Sequence, residues 1–300
     1  MPKVTRRLQK KAAACSVEFA KSEAKQKSGR ELLQHLFKQA VRNAKHRKRF
    51  VFLDLFSGDG GVGKYLRRQG YAVISIDVCN NPKFDLRDPE VQKLIFGWLR
   101  SRCIIGVWLA TPCTTWSRAR HGPVGSSWGP LRDNKHLFGL PGLPPKDRDK
   151  VRVGNATASF TIEIIRLCTL CHVPCFLENP SSSMLWKLPK LVRLGGLSCS
   201  QKFITDFCQH GARWRKRTRI QAWHSPDVPS FHRQCSGHGG ICCSTGRYHI
   251  VLRGLDPVSK LFWTHLAQPY PAKFSFAAGS AMLHAADNMH SLTLRQRFGN

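Results

Sequence analysis

The 300-residue chain reads as an α/β protein: a mostly parallel sheet with helices on both faces. Three observations predict this. Short runs rich in Val, Ile, Leu and Phe recur at 50–55, 71–76, 104–109 and 174–178, the length of buried strands. The segments between them carry helical periodicity, as in Val91, Leu94, Ile95 and Leu99 on one face of 88–101. Glycine-rich or polar motifs follow the strand ends, where open parallel sheets bind ligands.

Residues 1–49 read as a basic, largely helical N-terminal arm. Within it Ser28-Gly-Arg-Glu31 starts a short helix with Leu32, Leu33, Leu36 and Phe37 on one side, and Lys45-His-Arg-Lys-Arg49 is a basic cluster suited to phosphate. A main domain over 50–220 begins with strand 50–55, a helix near 61–69 and strand 71–76. After helix 88–101, strand 104–109 ends at Ala110-Thr-Pro-Cys113. Residues 118–150 read as a long loop rich in Gly, Pro and charge, a length that marks a functional segment or disorder. Gly154-Asn155 caps a helix at about 156–170 that carries Cys168 and Cys171 as core residues, and strand 174–178 meets Asn179-Pro180. A strand, turn and strand fill about 201–223. A small segment, 221–268, contains a stretch rich in Cys, His, Gly and Ser. Residues 269–300 form a C-terminal unit with a helix near 272–286 that packs back on the main domain.

The charge is extreme, with 48 Lys and Arg against 18 Asp and Glu, formally +30. Fifteen of the bases and three of the acids fall in 1–49, so the body is basic too. This implies a polyanionic partner, DNA or RNA first among them. Twelve Cys behind a charged N-terminus without an apolar leader imply reduced thiols in an intracellular compartment rather than a disulfide framework. The basic arm fits a nucleus, and a bacterial nucleoid equally. No apolar run approaches the roughly 20 residues that span a bilayer, so no membrane partner is expected. The sequence sets no oligomeric state.

The glycines Gly58-x-Gly60-x-x-Gly63 follow the first strand, and Asp77 closes the second. Strand, glycine turn, helix and a second acid form a site for an adenosine-containing cofactor. Asp54 and Asp59 flank the turn; their charges suit a cationic sulfonium and repel a pyrophosphate, which favours S-adenosylmethionine over NAD. Asp77 is placed to bond the ribose in either case. Cys113 lies at the end of the third strand and is a candidate nucleophile. Glu178, closing the next strand, is a candidate proton donor whose pKa burial would raise. Arg215, Arg217 and Arg219 recur with period two and offer guanidinium groups to a phosphate or base edge.

Taken in order, Asp54-Leu-Phe-Ser-Gly-Asp-Gly-Gly61, Pro112-Cys-x-x-Trp-Ser117, Glu178-Asn179 and Arg215-x-Arg217 resemble the signature segments of the DNA/RNA cytosine-5 methyltransferases. Tyr270-Pro271 and the helix after it look like that family's closing segment, so the resemblance covers about 50–286. It implies a Rossmann-like class I methyltransferase fold with S-adenosylmethionine held by Asp54, Phe56, Ser57, Gly58, Gly60, Gly61, Asp77, Val78, Asp85, Leu86 and Pro112. It implies further that Cys113 attacks C6 of a flipped cytosine, Glu178 protonates N3, and Arg215 and Arg217 hold the nucleotide, with loop 118–150 closing over it. The short segment at 221–268 implies weak sequence readout and phosphate-dominated affinity. A non-catalytic nucleic-acid-binding relative and an NAD-dependent oxidoreductase are the alternatives.

The stretch His232-x-x-Cys235-x-x-His238-x-x-x-Cys242 has spacing compatible with zinc, with His224, Cys208 and His249 as further candidate ligands. The family resemblance does not call for a metal there.

Overall fold

The computed structural model describes residues 27–45, 50–117 and 129–298, with side chains through Met289. Residues 1–26 and most of the basic cluster (46–49) lie outside the described residues, as do 118–128 of the long loop and 299–300.

Six strands form one sheet: β1 (Val51–Leu55), β2 (Ala72–Ile76), β3 (Ile104–Leu109), β4 (Cys175–Pro180), β5 (Ser200–Asp206) and β6 (Arg217–Trp223), in the order β2-β1-β3-β4-β6-β5. The first four are mutually parallel. β6 runs against both β4 and β5, so β5 again points with the parallel set. The result is the mostly parallel, Rossmann-like α/β fold expected. The register Pro180↔Thr218 and Asp206↔Arg217 brings the end of β4, the start of β6 and the end of β5 to one edge of the sheet. β6 continues to Trp223, so the sheet extends past residue 220.

Alternation along the strands divides the core. Val51, Leu53 and Leu55 share a cluster with Val107, Leu109, Cys175 and Leu177, covered by α1 (Gly29–Asn43), α3 (Pro89–Arg100), α4 (Pro145–Leu170) and α5 (Pro189–Gly195). Phe52, Val73, Trp108, Phe176 and Ile220 point the other way, against α2 (Gly61–Arg68) and α6 (Ala272–Phe298). Both sheet faces are thus covered, and every residue of β1 is buried.

α1 belongs to the first layer. Its start is a capping box: Ser28 Oγ accepts from the Glu31 amide and the Glu31 carboxylate accepts from the Ser28 amide. Leu33 is fully buried, which stabilises by about 1.5–3 kcal/mol, and Phe37 stacks on Trp98 at 5.0 Å. The described part of the basic arm is therefore built into the fold.

α4 begins at Pro145 rather than near 156, and the long loop is correspondingly shorter. Arg132 packs against the first turns of α4: it is a buried residue whose guanidinium donates to the carbonyls of Thr115, Leu137 and Val151 and to Asn155 Oδ1. It also lies 3.5 Å over the Trp116 ring. Gly154 is not a cap: a Cβ there would sit 2.4 Å from Thr115 Oγ1, so it lets the helix approach the β3 exit. α6 likewise runs beyond 286. It crosses α2 closely, because a Cβ on Gly279 would meet Tyr65 at 2.1 Å and one on Gly61 would meet Ser275 Oγ at 2.5 Å. Among the described residues, no helix is long and apolar enough to cross a membrane.

Candidate active site

The β1 exit is a tight, strained turn. Phe56 takes φ +56°, which is costly for a bulky residue, followed by Gly58 at +49° and Gly60 at +66°. Asp77 fastens the turn: one carboxylate oxygen accepts from the Gly58 amide at 2.9 Å and the other from the Cys79 amide at 2.8 Å. Asn80 adds bonds to Ser57 Oγ and the Gly58 carbonyl. Gly58 borders open space, with nothing within 4 Å of where a Cβ would stand. Gly61, by contrast, is committed to packing on α6.

Asp54 is buried on the α2 side of β1. Its Oδ2 accepts from the Gly63 amide at 3.0 Å and from Ser75 Oγ at 3.3 Å. Burial pushes its pKa up to about 7, against the opposing Gly63 bond and the Arg67 charge. The carboxyl thus occupies one of the first amides of α2, the position where a dinucleotide pyrophosphate would sit. Phe56 is half-buried against Phe160, Val78 is exposed, and Pro112 is exposed at the β3 exit. Asp85 is held by its neighbour Arg87 through two carboxylate bonds, and Leu86 is buried in the core.

At the β3 exit the Cys113 carbonyl accepts from the amides of Trp116 and Ser117, so Cys113 opens a turn. Beside it on β4, Asn179 Nδ2 donates to the Thr111 carbonyl at 2.7 Å and ties the two strand ends together. Glu178 lies on the same sheet face as Phe176, in line with the alternation, and accepts from the Tyr270 hydroxyl at 2.8 Å through Oε2. Its Oε1 is buried and without a partner among the described residues. Lys216 completes the group: its charge acts on both Cys113 and Glu178, and its Nζ donates to the Ala267 carbonyl.

Burial pushes the Cys113 thiol up; Lys216 opposes this and the Glu178 charge adds to it. Burial also raises Glu178, opposed by Lys216 and by the Tyr270 bond. A thiol, a carboxyl held toward its protonated form and a lysine beside both can transfer protons within the site.

The arginines depart from expectation. Arg217 donates two bonds to the fully buried Asp206 carboxylate, at 2.9 and 2.8 Å, and Arg215 donates to the same group and to the Cys235 carbonyl. Arg219 lies 4.3 Å over the Trp186 ring. They project from the opposite side of the β6 segment to Lys216, and the period of two that aligned them is what turns Lys216 toward Glu178. The alternation thus carried the direction of Lys216 but not its meeting with Glu178. Tyr270, 92 positions from Glu178, had no local signal for its contact with it.

The Cys/His stretch is also rearranged. His232 pairs with Asp227 at 3.0 Å and His238 is exposed, so neither joins a ligand group. His224 bonds the Thr169 carbonyl. Cys208, Cys235, Cys242 and His249 converge instead, with all four donor atoms within 4.8 Å of one another.

No protein-family profile and no curated protein sequence matches the chain. Among solved structures it is similar to the crystal structure of S. pombe Dnmt2 methyltransferase, with 12% identity and a TM-score of 0.32. The match covers 58% of this chain and 50% of that one, so the chain spans half the length of that structure.

Proposed function

We propose that the protein is an S-adenosylmethionine-dependent methyltransferase that modifies C5 of cytosine in nucleic acid, with DNA favoured, through an adduct on Cys113. One observation carries this reading: Cys113 and Glu178 share Lys216 at adjacent strand ends, and one Glu178 oxygen is buried without a partner among the described residues. A buried carboxyl oxygen without a partner suits a ligand N–H.

The β1 exit fits the cofactor. Gly58 leaves room at the turn, Asp77 shapes it, and Asp54 takes the helix amide that a pyrophosphate would need. Phe56, Ser57, Gly58, Gly60, Asp77, Val78, Asp85, Leu86 and Pro112 would border it, with Asp54 and Gly61 fixing the turn from behind. When bound, S-adenosylmethionine supplies an electrophilic methyl group to the activated C5.

Cys113 loses its proton to a water in the site and its thiolate adds to C6 of a cytosine taken out of its stack. Glu178 passes a proton to N3 through Oε1, so the electron pair of the C5–C6 bond becomes available at C5. Lys216 stabilises the thiolate and the carboxylate left behind on Glu178. After the C–C bond forms, a water in the site takes the C5 proton, the C5–C6 double bond re-forms, and Cys113 leaves as thiolate. N3 then returns its proton to Glu178. The excess of Lys and Arg binds phosphates, so affinity falls steeply with salt.

The test is trapping on an oligonucleotide containing 5-fluorocytosine, where C5 cannot lose a proton. The expected result is a cofactor-dependent covalent adduct that disappears in Cys113→Ser. Binding without an adduct on either DNA or RNA would instead make the chain a non-catalytic nucleic-acid-binding protein.

A further inference from the structure

We infer that Cys208, Cys235, Cys242 and His249 form a structural zinc site that holds the segment after β6 against the end of the sheet. The inference is independent of the methyltransferase reading.

The first argument is geometric. The three thiols and the imidazole lie within 4.8 Å of one another, and Cys235 Sγ stands 3.8 Å from His249 Nε2. Tetrahedral zinc with Zn–S bonds of about 2.3 Å places neighbouring sulfurs about 3.8 Å apart, so the group needs only a small contraction. All three cysteines are buried as free thiols. With one half-buried histidine they form a closed four-ligand set of a structural type.

The second argument comes from what the segment lacks. Between Phe231 and Ala267 the buried residues are Cys235 and Cys242 alone. Together with Cys208 they make an apolar cluster with no other member among the described residues. More than thirty residues thus hold a defined fold with almost no hydrophobic core, the situation in which a metal supplies the stabilisation.

The third argument is the surroundings. Gln209 Nε2 lies nearest Cys243 Sγ at 3.3 Å and also faces Cys208 and Cys242, and the Cys243 amide points at Cys235 Sγ, so N–H donors surround the thiols as they do around metal-bound thiolates. The Cys235 amide and the Arg215 guanidinium, which bonds the Cys235 carbonyl, both meet Asp206. Two residues after Asp206, Cys208 follows Phe207, whose ring lies 5.0 Å below Lys216 Nζ. The site therefore braces the wall that positions Lys216.

The test uses the full chain purified under reducing conditions. The expected results are one bound zinc per chain and, on replacement by cobalt(II), a thiolate-to-metal charge-transfer band with strong visible d–d absorption of a tetrahedral site. Cys208→Ser, Cys235→Ser and His249→Ala lose or weaken the metal, and the exposed Cys243→Ser and Cys79→Ser keep it. A readout that needs no variant is alkylation of the native protein: zinc protects Cys208, Cys235 and Cys242 while Cys243 reacts. A chain that takes up neither zinc nor cobalt, or equal alkylation of Cys242 and Cys243 with and without zinc, would overturn the inference.

Discussion

The two ends of the sheet are built on different principles. At the β1–β4 end, parallel strands carry Asp77, Cys113 and Glu178 at or near their C-terminal ends, and the strands beneath them are packed in apolar side chains set by alternation. At the β5–β6 end a reversed strand is inserted, and one buried acid, Asp206, collects Arg215, Arg217 and the Cys235 amide from two stretches of chain. The first end is held by hydrophobic burial, which is non-directional and tolerant. The second is held by charge-assisted hydrogen bonds and a thiol cluster, which are directional and fail when one member is lost.

The sharpest way to break this comparison is to remove each end's chemical centre. Cys113→Ser should abolish adduct formation and reduce turnover by at least roughly 10³-fold while leaving the melting temperature close to wild type. Asp206→Ala should act in reverse sense on stability, costing about 3 kcal/mol in denaturant unfolding. That is the low end for a buried pair, because both arginines are about 40% exposed. If the two substitutions destabilise equally, the distinction between the ends is wrong.

A smaller effect tests Lys216 as the residue that links them. Lys216 lowers the Cys113 thiol pKa and Glu178 raises it. Lys216→Met should therefore move the pH at which Cys113 is alkylated upward, and Glu178→Gln should move it downward. A shift of one pH unit changes the alkylation rate about tenfold at fixed pH below the thiol's pKa. Shifts of the same sign in both variants would refute the shared site.

The two ends should also show opposite pH dependences of stability. Asp54, near the first end, has its pKa raised from 3.8 to about 7. Its contribution is fullest below 3.8 and is lost as pH rises through 7, so Asp54→Asn should gain on wild type over that window. His210, near the second end, is pushed by burial from 6.5 to about 4. Its contribution is full above 6.5 and is lost as pH falls through 4, so His210→Gln should lose less than wild type on acidification. Thermal melts across both windows check the signs.

Much of the first end was legible in the chain. The strands at 51–55, 72–76, 104–109 and 175–180 lie within about two residues of the apolar runs that predicted them. Alternation and turn chemistry are local, so a short window carries them. The α4 start was misread because Gly154-Asn155 looks like a cap, and only a distant Arg132 shows why the helix passes through it. The Asp206 contacts of Arg215 and Arg217 were hidden for a related reason. Their spacing predicted a shared direction, and nothing local indicated that Asp206 would be waiting there.

Local patterning alone specifies the sheet's class, its first four strands, the placement of Cys113 and Glu178 at or just past the C-terminal ends of their strands, and the strongly basic charge. These follow from side-chain period and composition, which act over a few residues. Three pairings arise from the folded chain: Lys216 and Tyr270 join Cys113 and Glu178, Asp206 claims the arginines, and Cys208 and His249 take the places of His232 and His238 beside Cys235 and Cys242. Those pairings depend on which segments the reversed β6 strand brings to one edge of the sheet, and contact between distant segments leaves no periodic mark in the chain.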